Sequence, residues 1–217
     1  MGRLPKAHSY AAFEDNPNCW SKEALPGSLD DVFTGQNKLM IELGSGTCYF
    51  STGFAAEHQD FNVIATDLKR DRLWKGAKRA DKLKLTNAAF INIDVAKLAE
   101  LIPEHSVDQL WLTFPDPHPK KSHKKRRMNQ PGFLETYKKL LKPNGSFHLK
   151  TDDRDFFIET IELLEKANWQ FDQVSADSHR DYETGDQLIK TRYENEFIDA
   201  GIPINYLQSL PNSTDLA

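Results

Sequence analysis

The densest chemistry in the chain lies between Thr113 and Arg127, which reads TFPDPHPKKSHKKRR. Pro115, Pro117 and Pro119 alternate with Asp116, His118 and Lys120. Each proline fixes its own φ and biases the residue before it to extended conformations. A stiff loop with Asp116 at its base is therefore expected. The cationic run from Lys120 to Arg127 follows with no hydrophobic interruption. Such a run is usually solvated surface, but adjacency to a rigid, acid-bearing turn favours phosphate binding. His118 and His123 have no Cys or carboxylate companions at metal-ligand spacing, so no metal is expected.

A second set of groups is spread along the chain. Glu42 precedes Gly44-Ser45-Gly46, and Asp67, Asp94, Asp116 and Asp152 each close or follow a short apolar run. The runs LMIEL, NVIATD, AAFINID, VDQLWLTF and SFHLKTD read as strands. Between them lie helical patterns: FSTGFAAEH, Arg70 to Lys84, FLETYKKLL opened by Gln130-Pro131-Gly132, and a helix to about Asn168 capped by Asp152 or Asp153. WQFDQVSA and TRYENEFIDAG read as two final strands that pair antiparallel at one edge. Alternating strands and helices predict an α/β fold with a mostly parallel sheet and helices on both faces. In such sheets ligands bind beyond the carboxyl ends of the strands, where these acids sit.

The glycine turn narrows the ligand. A dinucleotide fingerprint needs a third glycine, and that position is Tyr49. No phosphate loop of the G-x-x-x-x-G-K-[ST] type is present. An array of acids repels phosphate and suits a ligand with hydroxyls and positive charge. S-adenosylmethionine has a ribose diol, an ammonium and a sulfonium. Asp67, 23 positions after Gly44, is placed to hold the ribose. Asp94 could equally cap the turn near Val95 to Leu101, and Gly44 and Gly46 could be only a strand–helix turn.

The 217 residues, 39% hydrophobic and 28% charged, fit one globular domain with a small appendage. Residues 1–35, with Pro5, Pro17, Pro26, Gly27 and Gly35, read as an N-terminal arm or cap rather than a core element; 36–210 as the main domain; 211–217 as a disordered tail. No apolar run approaches bilayer length and no secretory signal is visible. Cys19 and Cys48 fit no disulfide framework, so the cytoplasm is the expected compartment. The net charge of −4 argues mildly against nucleic acid, but the basic run is local.

Glu42-Leu-Gly-Ser-Gly46, Phe114-Pro-Asp-Pro117 with Pro119 to Lys121 and His123 to Arg127, Lys150-Thr-Asp152 and Thr191-Arg-Tyr-Glu194 occur in this order. The chain thereby resembles the bacterial tRNA (guanine-N7)-methyltransferase family, the TrmB type. The resemblance implies a class I S-adenosylmethionine-dependent methyltransferase, Rossmann-like, with a seven-stranded sheet carrying an antiparallel edge strand. It implies methylation of the variable-loop guanine of tRNA (position 46). It also implies that Glu42, Gly44, Gly46, Asp67, Asp94 and Asp116 face the cofactor. Lys120, Asp152, Thr191, Arg192, Tyr193 and Glu194 would face the substrate, and Ser122, His123, Lys124, Lys125, Arg126 and Arg127 the RNA. Asp116 and Asp152, then Glu194, are candidates for the carboxylate that accepts from guanine; Tyr193 or His118 could stack on the base. His118 stands where the family usually has tryptophan, Cys48 replaces a usual glycine, and Thr66-Asp67 replaces a common glycine–glutamate pair. A monomer or homodimer is expected. A small-molecule methyltransferase would leave the basic run idle; a non-catalytic tRNA-binding module would leave the acid array unexplained.

Overall fold

The computed structural model describes residues 6–24, 32–33 and 37–212. Pro5, Pro26, Gly27 and Gly35 of the expected arm, and 213–217 of the expected tail, lie outside the described residues. The chain forms two compact units, residues 1–98 and 99–217.

In the first unit four strands run parallel: β1 (Cys19–Ser21), β2 (Lys38–Glu42), β3 (Phe61–Asp67) and β4 (Ala88–Asn92). Their spatial order is β1-β4-β3-β2. All seven residues of β3 are buried, as expected of a parallel strand covered on both faces. Three helices accompany them: α1 (Lys6–Glu14), α2 (Tyr49–Glu57) and α3 (Arg70–Leu83). Leu73, Gly76, Ala77 and Ala80 form the buried stripe of α3 at helical spacing. Gly76 is required there, because a Cβ would stand 2.5 Å from the Cβ of Cys48.

The segment expected to be an arm is partly built into this unit. Phe13 is fully buried, β1 pairs with β4, and Arg70 holds Glu14 at 2.5 Å. Three strand residues and two buried aromatics, Phe13 and Phe33, are too few to produce a periodic signal.

The second unit contains β5 (Val107–Thr113), β6 (Leu141–Thr151), β7 (Trp169–Ser175) and β8 (Asn205–Pro211) in the order β5-β6-β8-β7. β5 and β6 are parallel; β8 is antiparallel to both β6 and β7. Its helices are α4 (Pro131–Leu140), α5 (Arg154–Lys166), α6 (Ser178–Asp181) and α7 (Glu194–Asp199). The expected strand TRYENEFIDAG is thus corrected: its centre is helix α7, and the last strand is NYLQSLP further on. Glu194, Phe197 and Ile198 recur at helical spacing, and Glu194 and Glu196 in the first turn suit the positive helix end. The antiparallel pairing of the last two strands holds, with β8 as the partner of β7. Eight strands are described, one more than the seven expected; β1 is the addition. No described helix is long and apolar enough to cross a membrane.

A buried polar cluster joins β5, β6 and β8. The ring of His148 stacks on Trp111 at 4.0 Å between centroids and bonds Ser146 Oγ at 2.7 Å and Tyr206 Oη at 3.0 Å. Burial pushes the His148 imidazole down to about 3. An unfolded histidine titrates near 6.5, so between these values the unfolded chain binds a proton that the folded chain refuses. Stability is therefore full above about pH 6.5 and falls as the pH drops through that window. Urea unfolding between pH 7.5 and 5 is expected to show a loss that His148→Phe makes shallower by up to about 1 kcal/mol per pH unit. An unchanged slope would contradict this placement.

Candidate active site

The first unit gathers one cluster around the glycine turn. Gly44 (φ 69°) and Gly46 (φ 55°) are left-handed. The Ser45 N–H donates to Thr66 O at 2.7 Å, and the Gly44 N–H reaches Thr66 Oγ1 at 3.4 Å. The Gly46 N–H donates to Asp67 Oδ2 at 3.0 Å. The exit of β3 thereby fixes the turn after β2. A Cβ on Gly46 would meet nothing within 4 Å among the described residues, so the turn offers bare backbone to a ligand.

Asp67 is buried, and its other oxygen accepts the Lys69 N–H at 2.8 Å. Arg72 stands 3.6 Å from Oδ2. Burial raises its carboxyl above the ordinary range, against these donors. A carboxylate oxygen has two lone pairs, so both oxygens keep acceptor capacity for ligand hydroxyls. Asn92, at the end of β4, donates to Asp67 O at 3.0 Å and braces the same corner.

Glu42 is oriented differently. Its Oε2 accepts the Ser51 N–H at 3.0 Å and the Ser51 O–H. A buried carboxylate thus satisfies a first-turn donor of α2. Asp94 is exposed and accepts the Ala96 N–H at 3.0 Å, the capping duty weighed from sequence. Arg79 reaches Thr47 O at 2.9 Å and lies 3.5 Å over the Tyr49 ring. Arg79, Ser51 and Asn92 carried no sequence signal, because each acts across at least nine positions of chain.

The second unit assembles the other candidates. After β5 come Phe114 (φ 47°) and His118 (φ 42°), both left-handed, flanking Pro-Asp-Pro. Asp116 is exposed, and its Oδ1 accepts the His118 N–H at 2.9 Å. Ser122 to Arg126 lie in a 3-10 helix, Lys121–Arg126, with no buried residue. The basic run divides. Lys124 and Arg127 pair with Glu159 of α5 at 2.7 and 2.5 Å. Lys120, Lys121, Lys125 and Arg126 are exposed, with no ion pair among the described residues. His123 stands edge-on to His118 at 6.2 Å.

At the end of β6, Asp153 rather than Asp152 caps α5, accepting the Phe156 N–H at 2.7 Å. Asp152 is half-buried, and burial, then the charge of Asp153, raises its carboxyl. No other described residue donates to it. Lys150 is fully buried, donating to Ile189 O at 2.9 Å and lying 2.7 Å from Glu194 Oε1. Glu194 is also fully buried; Oε1 meets His179 Nε2 at 2.7 Å and Oε2 accepts the Thr191 N–H at 2.8 Å. Glu194 was expected to face the substrate; both of its oxygens hold protein groups here. It fixes Thr191, whose buried Oγ1 has no hydrogen-bond partner among the described residues. Tyr193 is half exposed, with Arg192 5.2 Å from its ring. Phe114 stacks on Phe197 at 5.6 Å, tying the β5 exit to α7. No group of three His, Cys, Asp or Glu able to hold a metal exists among the described residues.

Residues 36–207 match the Methyltransf_4 family model, described as "Putative methyltransferase". The tRNA (guanine-N(7)-)-methyltransferase of Lactococcus lactis subsp. cremoris (strain SK11) is 36% identical over 183 residues, 84% of each chain. That of Cytophaga hutchinsonii is 32% identical over 189 residues, 86% of each chain. The chain belongs to the tRNA (guanine-N7)-methyltransferase family.

Solved structures agree on the fold. The 16S rRNA methyltransferase KamB has a TM-score of 0.64 at 15% identity, with 85% of this chain and 92% of that one covered. A SAM-dependent methyltransferase from Aquifex aeolicus has a TM-score of 0.55 at 12% identity, covering 96% and 99%. The fold is the class I, Rossmann-like methyltransferase fold. The bare backbone at Gly46, the buried Asp67 and the missing phosphate loop suit the expected cosubstrate, S-adenosylmethionine.

Asp67→Ala is expected to weaken S-adenosylmethionine binding by about 1.5–3 kcal/mol, the worth of hydrogen bonds to a charged group. Because the Asp67 carboxyl is raised, affinity should also fall on acidification at a higher pH than an ordinary aspartate would give. Titration calorimetry between pH 5 and 8 checks both; unchanged affinity in a folded variant would remove Asp67 from the site.

Proposed function

We propose that this protein transfers the methyl group of S-adenosylmethionine to N7 of a guanine in tRNA, and that this is the variable-loop guanine 46. The observation that carries the reading is the division of charge at the strand exits. In the first unit, carboxylates surround a bare glycine turn and suit a cationic nucleoside. In the second, a half-buried Asp152 without a donor from another described residue accompanies Lys120, Lys121, Lys125 and Arg126, exposed and without a described counter-ion. These groups suit a base on an RNA backbone. Relatives named tRNA (guanine-N(7)-)-methyltransferase align across 84% or more of the chain. Residues 36–210 serve as the catalytic domain, acting in the cytoplasm as monomer or homodimer.

Glu42, Gly44, Gly46, Asp67 and Asp94 hold the cofactor, Glu42 by fixing the helix start and Asp67 by direct acceptance. When bound, S-adenosylmethionine supplies an electrophilic methyl on a sulfonium. Guanine N7 has an in-plane lone pair and no proton, so no protein base is required. The chain's task is placement, worth about 7–11 kcal/mol in favourable intramolecular models. Asp152 accepts from guanine N1–H and the 2-amino group, stabilising the positive charge the base acquires. Asp116 serves at the same loop base. Thr191 Oγ1, held through Glu194, and Lys120 orient the nucleotide, and Tyr193 stacks on the base.

A methyl-transfer assay on unmodified bulk tRNA, followed by nucleoside identification, tests the reading. 7-Methylguanosine is expected; methylation of small molecules with none in tRNA would overturn it. Replacing Lys121, Lys125 and Arg126 together with alanine should weaken tRNA binding and flatten its log–log salt dependence, by up to about 0.7–0.9 for each phosphate no longer neutralised. Cofactor affinity should stay unchanged. Wild-type affinity and slope in a salt series would make the run ordinary surface. Asp152→Asn should lower single-turnover rate far more than tRNA affinity, and equal losses in both would argue against its placement on the base.

A further inference from the structure

The turn that bears Asp116 has an unfavourable backbone. Phe114 and His118 carry side chains yet occupy the left-handed region on either side of Pro-Asp-Pro. Such geometry persists only where the surroundings over-determine it. At the Phe114 end the turn is held by Lys150 O, which accepts the Phe114 N–H at 2.8 Å, and by the Phe197 ring; at the His118 end it is held by Arg127, whose Nη2 donates to His118 O at 3.2 Å. Arg127 is itself gripped: Nη1 donates to Glu159 Oε2 at 2.5 Å. Asn129 Nδ2 donates to the same oxygen at 3.3 Å, and Lys124 Nζ lies 2.7 Å from Oε1. Arg127 and Glu159 are 18% and 16% exposed, so the pair is largely shielded from water. Burial raises the Glu159 carboxyl, but hydrogen bonds from Lys124, Arg127 and Asn129 outweigh it and hold the group below its ordinary range. The bonds form a chain from Glu159 through Arg127 to His118, whose N–H meets Asp116 Oδ1 at 2.9 Å.

We propose that Glu159, on α5 and outside every motif of the sequence, is a positioning residue for methyl transfer. Through Arg127 it sets the turn that presents Asp116, and by pairing with Lys124 it withholds one cation from the RNA. The inference rests on the reading that this loop serves the guanine. Loss of Glu159 frees Arg127 from its anchor and Lys124 from its partner. Turnover and RNA affinity are then driven in opposite directions, which a purely structural role does not do.

The test uses Glu159→Ala and Glu159→Gln in the full chain, with a variable-loop-containing tRNA transcript. Single-turnover methylation of Glu159→Ala should slow by about 10- to 100-fold, the cost of a misplaced group. Its tRNA affinity should be equal or tighter. Its log–log salt slope should be steeper by up to about 0.7–0.9, as the freed Lys124 neutralises one more phosphate. Glu159→Gln keeps an acceptor for Arg127 and should fall between wild type and the alanine variant in rate. If the alanine variant does not fold, Glu159→Gln carries the test alone: a slower rate with retained affinity supports the role, and wild-type rate with wild-type slope overturns it. Rate and affinity falling together in a folded variant would also overturn it. Absence of tRNA methylation by the wild type would overturn the assigned reaction and this inference with it. Equal rates in wild type and variant would overturn the inference alone.

Discussion

A carboxylate taken out of water must find donors, because an unpaired buried charge costs several kcal/mol. That requirement separates framework from site in this chain. Glu42 is satisfied by Ser51, Asp153 by the Phe156 N–H, and Glu194 by Lys150, His179 and the Thr191 N–H. Glu159 is satisfied by Lys124, Arg127 and Asn129. Glu42, Asp153 and Glu194 each fasten a helix start or a loop to a strand end, and Glu159 fastens the basic loop to α5. Asp67 does both kinds of work, holding Gly46 and Lys69 while keeping spare acceptor capacity. Asp152 has no donor from another described residue, and Asp116 meets only the neighbouring His118 among the described residues. Asp67, Asp116 and Asp152 therefore keep acceptor capacity that the framework does not use.

The same logic applies to the cations. Of the basic run, Lys124 and Arg127 are held by Glu159, and Arg127 also holds the His118 carbonyl. Lys120, Lys121, Lys125 and Arg126 face solvent without a counter-ion among the described residues. A chain with an overall charge of −4 thus presents a local run of exposed cations, and local rather than net charge governs what it attracts.

Local patterns were legible in the sequence. β2, β3 and β5 were readable as apolar runs, the turn at Gly44–Gly46 from its glycines, and α3 from its buried stripe. Segments governed by distant partners were not. TRYENEF reads as a strand from its aromatic content, whereas Glu194 is drawn inward by Lys150, 44 positions away, and the segment coils as α7. β1 is three residues long, and only its pairing with β4 makes it a strand. The acids at the strand exits were visible because their position follows from the fold. Glu159, Arg79 and His179 were not, because their partners lie on remote segments.

If N7 of the variable-loop guanine is the nucleophile, removing that nitrogen must abolish the reaction and leave binding intact. The most direct measurement uses a tRNA transcript carrying 7-deazaguanine at position 46, where a C–H replaces N7. The protein is expected to bind it as well as the unmodified transcript and to transfer no methyl group to it, while the unmodified transcript is methylated. Methyl transfer to the deaza transcript at the unmodified rate would contradict this assignment.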